Sequence, residues 1–207
     1  MGRRGIRNIN VRIGDRYSAI EIRDILISVT VLSVAFAIMF YRGGGWGGLE
    51  FLQLIGISAV IVCLSFVIHE LAHKFVAQKL GAWAEYRMYP FGLLLALMLS
   101  FMGMIFAAPG VVYISGYIDD EDNGKISAAG PAVNIVIGSV AVVLAFLTTG
   151  LLSSVFWIMA LINAFFAVFN MIPILPFDGS KIVKWNIIVY LLMLAAAVAL
   201  LLVAWFG

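Results

Sequence analysis

Most of this chain is laid out in long, unbroken apolar runs, and that feature leaves it few ways to fold. The runs cover Ile25 to Phe40, Leu49 to about Leu80, Pro90 to Ala108, Ser127 to Thr148, Ser153 to Met171 and Val183 to Trp205. A helix needs ~20 apolar residues to cross the ~30 Å hydrocarbon core of a bilayer. Because the runs are continuous rather than alternating, they read as helices and not as strands of a barrel. With 64% of its 207 residues hydrophobic and 12% charged, the chain has more apolar surface than a soluble domain needs. The sequence predicts an all-α polytopic membrane protein with about five transmembrane helices and one further apolar segment.

Residues 1–24 form a basic amino-terminal segment and residues 25–207 a single integral-membrane domain. Arg3, Arg4, Arg7, Arg12, Arg16 and Arg23 stand there against Asp15, Glu21 and Asp24, which places the amino terminus in the cytoplasm by the positive-inside rule. The first apolar run leads into Tyr41-Arg42 without a small-residue cleavage site, so it reads as a retained span in the cell membrane. Gly43 to Gly48 forms a turn at the far surface with Trp46 as an interfacial anchor, and Gly81 ends the second helix. The net charge of +2 is confined to a few loops, with no basic patch for nucleic acid. Cys63 is the only cysteine, so an internal disulfide is excluded.

The run from Pro90 to Ala108 is long enough to cross, yet a crossing would put Lys125, Lys181 and Lys184 outside and Asp178 on the surface opposite His69. A re-entrant hairpin, bent at Gly92 or Gly103, instead keeps every Lys and Arg except Arg42 on the cytoplasmic side. The hairpin is the favoured reading and a sixth span the alternative. Such backbone is tolerated in a membrane only against protein or a wet cavity. Val111 to Ile114 is strand-like. Asp119 to Gly124 reads as a solvated acidic turn, since it lacks the length and terminal Glu of a calcium hand.

The chemistry centres on Ile68-His69-Glu70-Leu71-Ala72-His73-Lys74. Residues four apart share a helix face, so both imidazoles can reach one ion, with Glu70 beside them as a non-ligand. Ionisable groups in or near lipid cost several kcal/mol unless they have partners or a task. Counting ~1.5 Å per residue from Phe51, His69 lies roughly 27 Å along its helix, toward the cytoplasmic edge of the membrane. Zinc in a hydrolytic site takes a third protein ligand and a water. Asp178, in a turn broken by Pro173 and Pro176, is the acid at the right depth; Asp24 lies in a charged cluster and reads as solvated.

Taken together, His69-Glu70-Leu71-Ala72-His73, then Gly130-Pro131-Ala132-Val133-Asn134, then Asn170-x-x-Pro173-x-x-Pro176-x-Asp178-Gly179 resemble the site-2 protease family of intramembrane zinc metalloproteases, over about residues 60 to 184. The resemblance implies zinc held by His69, His73 and Asp178, Glu70 as the catalytic acid/base, and Asn134 and Asn170 lining the site toward substrate. Asn134 has the alternative reading of a helix–helix hydrogen bond, and Asn170 reads equally as a cap for backbone freed by the prolines. Gly130 and Pro131 read as structural, at a close packing point and the first turn of a span. The family pattern implies transmembrane protein substrates, whose helices must unwind before attack; Val111 to Ile114 either pairs with such an unwound segment or packs as a loop. The chain departs from simple members by the Pro90 to Ala108 insertion and from larger ones by lacking a PDZ domain. Rival readings are a membrane metal carrier or sensor and a catalytically silent scaffold. The oligomeric state is not legible.

Overall fold

A computed structural model describes residues 17–44, 46, 49–105 and 109–207. Among these residues five helical stretches are long and apolar enough to cross a membrane, as the runs predict. Helix α1 is Ala19–Gly43; α2, Phe51–Val62, continues through a π-helical turn, Cys63–Val67, into α3, Ile68–Lys79; α5 is Asp120–Leu147, α6 Gly150–Asn170 and α8 Ile187–Phe206. Strand β1, Trp83–Met88, helix α4, Pro90–Ser100, and strand β2, Gly110–Ser115, lie between α3 and α5, and the short α7, Gly179–Trp185, precedes α8. Large side chains such as Phe146, Leu192 and Leu202 face outward, as lipid contact requires. Fully buried Ala160, Ala164 and Ala167 let α6 approach its neighbours closely.

The ambiguous run is a hairpin insertion. β1 and β2 pair antiparallel, from Trp83 opposite Ser115 to Met88 opposite Gly110, and Tyr89 N–H donates to the Pro109 carbonyl at 2.8 Å. The chain therefore returns to the place it left. At ~1.5 Å per residue, 11-residue α4 reaches about halfway through a bilayer core. Gly103, at φ +77°, bends the return; Gly92 is an ordinary buried helical residue.

Several element boundaries move. α1 starts at Ala19, where Ser18 caps it by accepting the Glu21 N–H. Glu21 and Asp24 are buried, at 0% and 3% exposure, so Asp24 is not solvated. It accepts from Met88 N–H and from Arg23. The acidic turn opens α5: Asp119 accepts the Asp122 N–H at 2.8 Å, and the following acids lie where the helix dipole favours negative charge. Pro131 consequently lies inside α5 rather than in its first turn. The last apolar run breaks at Asn186, whose side chain caps α8 by accepting from Ile188 and Val189 N–H. The segment 171–178 is non-helical, with a cis Leu175–Pro176 bond.

β1 is a strand the apolar pattern did not announce, because Glu85 and Arg87 interrupt it. Those two side chains pair at 2.7 Å, and the Arg87 hydrogen bond holds the Glu85 carboxyl below its usual pKa. Tyr86 and Met88 donate their N–H groups away from β2, to Glu21 and Asp24. Glu85 and Arg87 then direct their backbone groups at β2, and by the antiparallel alternation Val112 and Ile114 present theirs on the far edge. Among the described residues no third strand covers that edge.

Candidate metal centre

Helical spacing brings His69 and His73 onto one face of α3, and the turn after α6 carries Asp178 up to them. His73 Nε2 lies 3.0 Å from His69 Nε2 and 3.2 Å from Asp178 Oδ2, and His69 Nε2 lies 3.6 Å from that same oxygen. Three ligand atoms at ~2.0–2.1 Å from a tetrahedral zinc stand roughly 3.3 Å apart, so the triangle has the size of one face of that tetrahedron. All three residues are largely buried. Each imidazole has an acceptor on its other nitrogen. His73 Nδ1 donates to the Ile126 carbonyl at 2.7 Å, and His69 Nδ1 to Asn134 Oδ1. With hydrogens on both Nδ1 atoms, two Nε2 lone pairs and a carboxylate oxygen converge on one point, an arrangement that a cation stabilises. The donor set of two imidazoles and a carboxylate suits zinc.

Two glycines make this approach possible. A Cβ on Gly130 would lie 2.4 Å from His73 Nε2 and 2.6 Å from the His69 ring, and one on Gly179 would lie 2.2 Å from the Met171 carbonyl oxygen. Gly130 thus clears space for the two imidazoles of the candidate metal centre, a role beyond helix packing. Gly130→Ala is expected to push the imidazoles off their common point and lower zinc affinity by about tenfold or more, by analogy with disturbed ligand orientation. Competition with a chromogenic chelator measures it, and an unchanged affinity would remove Gly130 from this role.

Behind His69 runs a buried polar network. Asn134 Nδ2 donates to the Ser65 carbonyl at 2.7 Å and to Asn163 Oδ1 at 2.8 Å. Asn163 Nδ2 donates to Ser65 Oγ at 2.8 Å and to the Met159 carbonyl at 2.9 Å. Ser65 sits in the π-helical turn, where the wider backbone ladder leaves carbonyls open to side-chain donors. Asn134 is fully buried and touches His69; it lies behind the imidazole and is not among the residues lining the cavity. Ser65 and Asn163 are additions to the sequence reading. A carboxamide in an apolar span needs partners, and that argument applied to Asn163 as well as Asn134 would have found it.

A cavity of about 580 Å³ adjoins the cluster; its lining includes Glu70, Asn170 and β2 from Gly110 to Ile114. The Glu70 side chain, on α3, makes no hydrogen bond among the described residues. Asn170 does not cap the proline turn: its Nδ2 donates to the Phe166 carbonyl one helical turn back, at 3.0 Å.

A His-Glu-x-x-His helix with a distant aspartate closing the ligand triangle, inside a bundle of membrane-crossing helices, defines a membrane-embedded metalloenzyme class. The comparisons agree. The family model for peptidase family M50 matches residues 147–189. A Methanocaldococcus jannaschii protein provisionally named a zinc metalloprotease is 41% identical over 177 residues, 83% of this chain and 87% of its own length. The chain belongs to peptidase family M50, the site-2 protease family. A Mycobacterium tuberculosis protein provisionally named zinc metalloprotease Rip3 is 29% identical over 68% of this chain, and another M. jannaschii zinc metalloprotease 28% identical over 60%. The chain spans about a third of the length of each of those two, 33% and 32%. No solved structure matches it significantly.

Proposed function

We propose that this protein is a zinc-dependent endopeptidase that hydrolyses a peptide bond within or near the transmembrane segment of membrane-protein substrates. The observation that carries the reading is that Glu70, the His69–His73–Asp178 triangle and β2, whose outer edge no described strand covers, line one cavity. Zinc, when bound, supplies Lewis acidity that polarises a carbonyl and lowers the pKa of water to about 7. His69, His73 and Asp178 hold it, and Asn134 orients His69. Glu70 takes a proton from the attacking water on a carboxylate oxygen and returns it to the leaving amine. Its freedom from hydrogen bonds suits a group that must exchange protons. The backbone N–H and C=O groups of Val112 and Ile114 accept the unwound substrate as an added strand, which replaces the helical hydrogen bonds the substrate gives up. Asn170, lining the same cavity, contacts substrate.

The reading is tested in proteoliposomes with a purified single-span substrate. Cleavage abolished by a chelator and restored by zinc supports it, and metal-independent cleavage or none would overturn it. We also place the amino terminus and the site toward the cytoplasm. Tyr117 is 91% exposed, between β2 and α5, and the proposed orientation puts it on the cytoplasmic side. With Cys63 replaced by Ala, Tyr117→Cys is expected to resist a membrane-impermeant maleimide in intact cells and to react after lysis. Labelling of intact cells would reverse the orientation.

A further inference from the structure

The amino-terminal turns of α1 are fastened to two parts of the site at once. Glu21 is fully buried, and its two carboxylate oxygens have different partners. Oε2 accepts from Lys74 Nζ at 2.6 Å, and Oε1 accepts from the Tyr86 backbone N–H at 2.9 Å. Lys74 follows the ligand His73 on α3 and is also fully buried, with its ammonium 3.8 Å from the centre of the Tyr17 ring. Tyr86 is the central residue of β1 on the edge facing away from β2. One turn along α1, Asp24 Oδ2 accepts the Met88 N–H at 3.3 Å, and on a third turn Ser28 Oγ lies 2.8 Å from the Tyr86 hydroxyl.

Stability alone is a poor account of this arrangement. A buried ion pair sacrifices the hydration of both charges, and an apolar pair of similar volume is often as stable. What an apolar pair cannot do is accept a backbone N–H. Glu21 and Asp24 occupy alternate N–H groups of β1, the positions a neighbouring strand would use. Side chains here stand in for a strand, and they close the outer edge of the sheet.

Resting on the protease reading above, we infer that Glu21 and Asp24 are positioning residues for substrate. They close β1, Glu21 by accepting the Tyr86 N–H and Asp24 by accepting the Met88 N–H, so that an extended peptide adds only to β2. Neither carboxylate touches the reacting atoms. Their effect falls on the capture of substrate and its register, and leaves the proton chemistry of Glu70 unchanged.

The test separates the acceptor from the charge. Glu21→Gln/Lys74→Met and Glu21→Met/Lys74→Met both remove the ion pair and differ only in whether position 21 can accept the Tyr86 N–H. In a Glu70→Gln background, binding of a dye-labelled single-span peptide with a glycine-rich midsection is measured in nanodiscs; zinc content is measured on the same samples. The Gln form is expected to bind within twofold of the parent. The Met form is expected to bind about fivefold more weakly, the worth of one backbone hydrogen bond, with zinc content unchanged. With Glu70 restored, the difference appears in KM and not in kcat. Equal binding by the two double variants overturns the inference, as does zinc loss confined to the Met form, which would mean that Glu21 acts through the histidines. The same comparison at Asp24, Asn against Leu, reads the second anchor independently should position 21 not tolerate Met. Binding needs no turnover, so a wild-type chain that fails to cleave the peptide counts against the protease reading and leaves this comparison intact.

Discussion

Glu70→Gln is expected to leave zinc bound at the wild-type level while slowing cleavage of a reconstituted membrane-spanning substrate by about 10²–10⁴-fold, the usual share of general acid–base catalysis. The substitution keeps the size and shape of the side chain. It also leaves the ligand triangle alone, because no hydrogen bond joins Glu70 to either histidine or to Asp178 among the described residues. A carboxamide cannot take a proton from water at neutral pH, so only that step is lost. Cleavage is followed on gels and zinc by mass spectrometry of the purified protein. Residual activity within tenfold of wild type would take the acid/base role away from Glu70, and loss of zinc would move the residue into the ligand set.

Asp178→Ala is expected to act the other way round, on the metal first. The variant keeps the two imidazoles with their Nδ1 partners Asn134 and Ile126, but its ligand set falls to two side chains. Disturbing an outer partner of a ligand already costs about 10–100-fold in affinity, so removal of a ligand should exceed a hundredfold and abolish turnover at ordinary zinc levels. Stability supplies a second reading. A ligand that binds only the folded state raises its stability, so zinc should raise the Tm of wild type and fail to raise that of Asp178→Ala. With chelator present the two should melt alike. Equal zinc affinity would remove Asp178 from the cluster despite its 3.2 Å approach to His73.

The spans and the HExxH helix are legible in the sequence, because each depends on short-range rules of run length and helical spacing, and Asp178 is singled out by its proline-broken turn at the right depth and by the family resemblance. What was not legible depends on residues far apart in the chain. Gly130 looked like a packing glycine, since nothing local says that two imidazoles from α3 will lie where its side chain would be. Asn134 was recognised as a buried carboxamide, but its partner required knowing that the π-helical turn and α6 bring Ser65 and Asn163 to it. β1 was hidden by Glu85 and Arg87, charges that look like a loop until they are seen to pair with each other. Asp24 looked solvated because its neighbours in sequence are charged, whereas its neighbour in space is an unpaired edge of β1. The segment Asp119 to Gly124 reads as a solvated turn and opens α5, since acids that suit solvent also suit the first turn of a helix.

The ligand triangle joins residues from α3 to one more than a hundred positions later, just ahead of α7. A chain still emerging from the ribosome therefore lacks its last ligand until the sixth of its apolar runs is about to be made. On the function proposed above, a site that needs all three side chains is incomplete while the earlier helices insert, and metal capture would be the closing event of maturation, reporting that the two ends of the fold have met.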